Sequence, residues 1–120
     1  MIEGSNIDKA AHSNNLEEMM EELLDFDRTA GAVLDWASKH PGTLVVITAD
    51  HNTGAFALTG GSREQGEITG RFGSGSHDGV AVPVYAFGAG SGDFTGIYEN
   101  TDIFNKIMNA FKKGADKPVR

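Results

Sequence analysis

Asp8 and His12 stand four positions apart in Ile7-Asp8-Lys9-Ala10-Ala11-His12. On a helix this spacing puts both side chains on one face, with Cβ atoms ~5–6 Å apart, close enough to share a metal ion. A surface Asp–His hydrogen bond near a helix start is the plainer use of the same pair. Asp50-His51 follows directly on the apolar run Thr43-Leu44-Val45-Val46-Ile47-Thr48. In open α/β sheets ligands bind just beyond the carboxyl ends of strands, so this pair is delivered to a favourable edge. A capped turn is its ordinary alternative. His77 lies in Gly73-Ser74-Gly75-Ser76-His77-Asp78-Gly79, where glycines let a backbone approach a ligand closely, although a loop histidine is most often only solvated. Glu3, read as the end of a first strand, would share an edge with Asp50, and carboxylates there suit a hard cation such as magnesium. His40, before Pro41-Gly42 at a helix end, has no such company.

Each signal is weak alone. Together they supply carboxylates and imidazoles without thiolates, which is the ligand chemistry of catalytic zinc more than of structural zinc. The chain contains no cysteine, so thiolate sites, disulfide scaffolds and thiol nucleophiles are excluded.

The elements that must position these groups can be read from periodicity. Met1-Ile2-Glu3-Gly4 reads as the end of a strand. Leu16, Met19, Met20, Leu23 and Leu24 follow a helical repeat, and Phe26, Ala30, Val33, Leu34 and Ala37 a second one, with Asp25 or Asp27 as its cap. Pro41-Gly42 stops it. Thr43 to Thr48 reads as a strand covered on both faces, and Ala55 to Leu58 as a short strand. The glycine-rich stretch 59–79 is too long for an ordinary connection, and such stretches are functional or mobile. Val80 to Phe87 is a strand, with Pro83 marking an edge or a bulge. Asn100 or Thr101 caps a closing helix with the apolar face Ile103, Phe104, Ile107, Met108 and Phe111, ending at Gly114. The fold class is therefore α/β, a partial parallel sheet flanked by helices. Residues 1–114 form a single truncated domain and 115–120 a frayed tail.

Composition narrows the function. Ten Lys+Arg against seventeen Asp+Glu give a formal charge of −7, which argues against nucleic acid or an anionic membrane as partner. No apolar run approaches the ~18–20 residues of a membrane span, and no secretory leader opens the chain. Gly88-Ala89-Gly90-Ser91-Gly92-Asp93 is a poor dinucleotide fingerprint, and there is neither a phosphate-binding Gly-Lys-Ser/Thr loop nor a G-x-S-x-G elbow.

Glu3-Gly4-Ser5-Asn6-Ile7-Asp8-Lys9-Ala10-Ala11-His12 resembles the metal-binding segment of alkaline phosphatases. Thr43-Leu44-Val45-Val46-Ile47-Thr48-Ala49-Asp50-His51-Asn52-Thr53-Gly54 resembles the strand-plus-ligand motif of that family. His77, Val82-Pro83-Val84-Tyr85-Ala86-Phe87-Gly88 and Asn100-Thr101-Asp102-Ile103 resemble its C-terminal segment. The three motifs occur in the family's order and cover nearly the whole chain. The resemblance implies that Asp8, His12 and His77 hold a first zinc, that Asp50 and His51 supply part of a second zinc site, and that Glu3 supplies part of a magnesium site. It also implies a phosphate monoester substrate and a serine that attacks it to form a phosphoseryl intermediate, with the metals lowering the pKa of serine and water.

That serine, the aspartate bridging the second zinc and magnesium, and the phosphate-clamping arginine belong to the family's N-terminal portion. No matching motif surrounds Arg28, Arg63 or Arg71. The chain thus resembles a C-terminal segment whose partner is the missing N-terminal half, inactive alone and prone to self-association through exposed apolar surface. The family is typically periplasmic or extracellular. The alternatives are another two-metal enzyme of the wider superfamily (phosphodiesterase, sulfatase-like enzyme or phosphomutase) and a non-catalytic zinc-binding module.

Overall fold

The computed structural model describes residues 1–115. In chain order the elements are α1 (Ser5–His12), α2 (Leu16–Ser38), β1 (Leu44–Thr48), β2 (Asn52–Thr53), β3 (Ala57–Ser62), β4 (Glu67–Arg71), β5 (His77–Asp78), β6 (Val84–Gly88), a 3-10 turn (Ser91–Phe94) and α3 (Asp102–Ala115). The composition of elements is mixed α/β. Of the frayed tail expected over 115–120, Ala115 closes α3, one position past Gly114, and 116–120 lie outside the described residues.

Every strand pairing among the described residues is antiparallel, and this corrects the expected parallel sheet. The pairs β1–β6, β2–β5 and β3–β4 are nested in sequence, each a two-stranded ladder. The reason lies in the connections. Parallel neighbours need a crossover, usually a helix, to return the chain to its starting end. Between Thr48 and Val84 there is no helix.

Two further readings are corrected. Met1–Gly4 forms no strand; the segment leads into α1, with Gly4 as its N-cap residue. The two helical repeats between Leu16 and Ala37 form one helix of 23 residues. Asp25 does not cap; it lies within the helix, where Arg28 Nη2 approaches its carboxylate at 3.0 Å. The real cap is Asn15, whose Oδ1 accepts the Glu18 N–H at 3.2 Å while its amide donates to Glu18 Oε2 at 3.0 Å.

The chain divides into two compact units. One comprises Met1–Thr29 and His51–Val82. Its core is Ala10, Ala11 and Met19, packed by Ile7, Leu16, Phe56 and Phe72. The small residues Ala10 and Ala11 on α1 let the Phe56–Phe72 pair, with ring centroids 4.9 Å apart, close over the helix. The stretch 59–79, expected to lack regular structure, carries the β3–β4 hairpin, with a register shift between Leu58 and Gly60.

The other unit comprises Ala30–Asp50 and the chain from Pro83 onward. Here β1 pairs with β6 in the register Leu44↔Gly88 to Thr48↔Val84. Gly88 has φ +91, and a Cβ there would collide with the Thr43 carbonyl oxygen, so the close of this ladder requires glycine. Residues 44–47 of β1 are half-buried and none is fully buried, in contrast to a strand covered on both faces. Ala37 and Phe94 are this unit's buried apolar residues. Lys106 Nζ donates to the Asp93 carbonyl at 2.6 Å and lies 4.1 Å from the Tyr98 ring centroid, tying α3 to the 3-10 turn. Among the described residues no helix is long and apolar enough to cross a membrane.

Candidate metal centre

Asp8 and His12 project from one face of α1, with Asp8 Oδ2 3.5 Å from His12 Nε2. His77 arrives from β5. Its Nε2 lies 3.0 Å from His12 Nε2 and 3.6 Å from Asp8 Oδ1. The three residues offer ligand atoms that all lie within 4.8 Å of one another. A zinc tetrahedron with bonds of ~2.0–2.2 Å has edges of roughly 3.3–3.6 Å. The two imidazole nitrogens are closer than that, each lies 3.5–3.6 Å from a different Asp8 oxygen, and the group is compact enough to gather around one ion. Two imidazole nitrogens and one carboxylate oxygen also match the donor chemistry of zinc sites that keep a fourth position open.

The surroundings prepare the donors. His12 Nδ1 stands 2.8 Å from the Gly75 carbonyl oxygen, which can only accept. Nδ1 therefore carries the proton in the neutral ring, and the Nε2 lone pair points to the cluster. Thr53, one of the few buried polar residues, donates its hydroxyl proton to Asp8 Oδ1 at 2.6 Å. With that single proton committed, Thr53 Oγ1 accepts from His51 Nδ1 at 3.2 Å, which fixes the tautomer of His51 as well. The Asp8 carboxyl is held below the ordinary carboxylate range, first by the Thr53 hydrogen bond and then by His12, His77 and His51; partial burial opposes this.

Local sequence explains the placement. Gly54 has φ +83, and a Cβ there would sit 2.8 Å from the Phe72 ring and 3.2 Å from the Ala11 carbonyl oxygen. The backbone of this turn thus lies directly on α1. Gly54 N–H donates to the Ser76 carbonyl, and its own carbonyl accepts from Gly73 and Ser74 N–H, all at 3.0–3.1 Å. The β2–β5 ladder then sets Thr53 opposite His77 and Asn52 opposite Asp78.

Of the six metal-ligating residues expected from sequence, Asp8, His12 and His77 form the cluster. His51 joins its edge by stacking on His77, with centroids 3.6 Å apart and planes 23° apart. Asp50 is exposed at the end of the segment that follows β1. Glu3 is exposed ahead of α1 and lies outside the three-residue group. His40 stacks on Trp36 at 3.8 Å, and its Nδ1 is 2.6 Å from the Trp36 carbonyl, a helix-end contact remote from this chemistry.

Sequence reasoning missed Thr53 and Asp78. The Asp78 carboxyl is held below its usual range by the Val80 N–H, then by Asn52, Ala55 and the nearby His51, against a small desolvation effect. Both residues sit within or beside motifs that had been singled out, but hydroxyl and carboxylate types in turns are too common to signal a role.

The family model described as alkaline phosphatase matches residues 1–71. A streptomycin-6-phosphate phosphatase of Streptomyces griseus is 33% identical over 91% of this chain and 28% of its own length. Alkaline phosphatase 3 of Bacillus subtilis is 47% identical over 48% of this chain. Among solved structures, the alkaline phosphatase of the Antarctic bacterium TAB5 superposes with a TM-score of 0.83 at 41% identity, covering 91% of this chain and 33% of that one. A variant of the TAB5 enzyme with Mg bound in its M3 site superposes with a TM-score of 0.82. The chain spans about a third of the length of these structures. It belongs to the alkaline phosphatase family.

Proposed function

We propose that this chain is the metal-binding, C-terminal portion of a zinc- and magnesium-dependent alkaline phosphatase that hydrolyses phosphate monoesters. The observation that carries the reading is the convergence of Asp8, His12 and His77 from α1 and β5, whose ligand atoms all lie within 4.8 Å of one another. Asp8, His12 and His77 would hold the first zinc, His51 and Asp50 part of the second zinc site, and Glu3 part of the magnesium site. When bound, such ions stabilise the charge on the attacking and leaving oxygens of phosphoryl transfer.

The residues of this chain hold and orient. Thr53 fixes the Asp8 carboxylate and the His51 ring, and the Gly75 carbonyl fixes the His12 tautomer. No serine of this chain lies in a motif matching the family's nucleophile. The remaining portion of the fold supplies it, and supplies a neighbour for the second edge of β1. The streptomycin-6-phosphate phosphatase acts, by its name, on a phosphate monoester, which supports this class over the diesterase, sulfatase-like and mutase alternatives. A zinc-binding module without catalysis is the second reading, favoured by a donor triangle contained within one unit of the chain.

The test is p-nitrophenyl phosphate turnover by the purified chain in zinc and magnesium. The expected rate equals that of buffer. Turnover abolished by Asp8→Ala would overturn the assignment of the nucleophile to another portion.

A further inference from the structure

Asp78 neighbours His77 in β5, but along a strand successive side chains alternate in direction. His77 faces Thr53 across the ladder, and Asp78 faces Asn52. The Asp78 carboxylate is fully engaged there. It accepts from Asn52 Nδ2 on both oxygens, at 3.1 and 2.9 Å. Oδ2 also accepts the Ala55 N–H at 2.9 Å, and Oδ1 the Val80 N–H at 3.0 Å.

Ala55 has φ +45, a left-handed conformation that a residue with a side chain adopts only when its surroundings enforce it. It follows Gly54 at φ +83, so the chain reverses sharply just after Thr53. Asp78 grips this reversal through its amide. The carboxylate therefore ties together the residue after His51, the strained turn, and the strand that carries His77. All three donors are neutral, and no further ligand is needed to satisfy the oxygens.

We propose that Asp78 is a positioning residue, whose carboxylate clamps the 52–55 turn to β5 and so fixes the His51 and His77 rings against each other at the metal centre. The consequence for zinc rests on the metal-centre reading above; the ring geometry does not.

Asp78→Asn is nearly isosteric but turns an acceptor into an amide that confronts a backbone N–H donor. Asp78→Glu keeps the charge and displaces the carboxylate by one methylene. The full chain and both variants are compared by the ring-proton NOE between His51 and His77 in metal-free protein, and by zinc affinity. The proposal expects the NOE to weaken in both variants while the amide spectrum of the rest of the chain is kept. It expects zinc affinity to fall in both by roughly ten- to a hundredfold, the usual range for groups that orient ligands. An unchanged NOE in Asp78→Asn overturns it. So does wild-type zinc affinity in Asp78→Glu with loss in Asp78→Asn, which would mark a purely electrostatic role. Should Asp78→Asn not fold, Asn52→Ala removes one arm of the clamp, and an unchanged NOE in that variant likewise overturns it. If wild type binds no zinc, the metal reading fails, and the NOE comparison still decides the clamp.

Discussion

The Nε2 atoms of His12 and His77 stand 3.0 Å apart although 65 positions separate the two residues in sequence. With His12 Nδ1 donating to Gly75, the neutral His12 ring presents a lone pair at Nε2, so in the absence of a cation the proton between the rings comes from His77. The Asp8 carboxylate faces both rings, Oδ2 at 3.5 Å from His12 Nε2 and Oδ1 at 3.6 Å from His77 Nε2. The three side chains together are a group that could hold a metal ion.

Thr53→Val removes the hydroxyl and keeps the shape. The Asp8 carboxylate loses its 2.6 Å hydrogen bond and His51 its acceptor. Zinc affinity is expected to fall by about tenfold or more, and Thr53→Ser to restore most of it. Equal affinity in Val and wild-type chains, read by competition with a chelating dye, would refute the orienting role.

How much of this was legible in the sequence depended on which signal each residue carried. The helical repeats and the capping region before Asp102 announced α2 and α3 correctly as helices, because apolar spacing survives without context. The continuity of α2 was hidden because Asp25 looks like a cap; only its pairing with Arg28 shows it to be interior. The apolar run of β1 fixes a strand but not its partner's direction, and the return through β2–β5 makes it antiparallel. The β3–β4 hairpin was masked by Gly60, Gly61, Gly66 and Gly70, which break the alternation by which strands are recognised. Asp8 and His12 were legible as a pair from spacing. That His77 joins them came from family resemblance, since a separation of this length leaves no local trace.

Gly88→Ala tests the ladder that closes β1 on β6. The new Cβ meets the Thr43 carbonyl in a backbone at φ +91. Destabilisation is expected to exceed about 1 kcal/mol, the scale at which alanine at positive φ already costs stability. Chemical denaturation checks it, with Gly92→Ala, where a Cβ meets nothing within 4 Å, as control.

The Asp93 carboxyl is held below its ordinary value by the hydrogen bond from Lys113, by the charge of that same lysine, and by Lys106, against slight desolvation. A depressed folded-state value means that the group binds protons less readily when folded. Its stabilisation is therefore present above the ordinary aspartate value of 3.8 and is lost as pH falls through the lower folded value. Lys113 is exposed and Asp93 partly so, and the contribution is therefore small and salt-sensitive. Melting temperature between pH 7 and pH 2 should fall less steeply in Asp93→Asn than in wild type; parallel curves would contradict the pairing.

Tyr85 and Phe87 are exposed on one face of β6, and Phe104, Met108 and Phe111 form an exposed stripe at helical spacing on α3. Apolar surface of this kind promotes association. Sedimentation should show mass increasing with concentration, and Phe104→Lys with Phe111→Lys should reduce it. A concentration-independent monomer would count against this.

The central claim is that Asp8, His12 and His77 hold a zinc ion together. Its most direct test is a calorimetric zinc titration of the purified chain beside His12→Ala. The account predicts one site of micromolar or tighter affinity in wild type and its loss in the variant. No binding in wild type, or equal binding in His12→Ala, would contradict it.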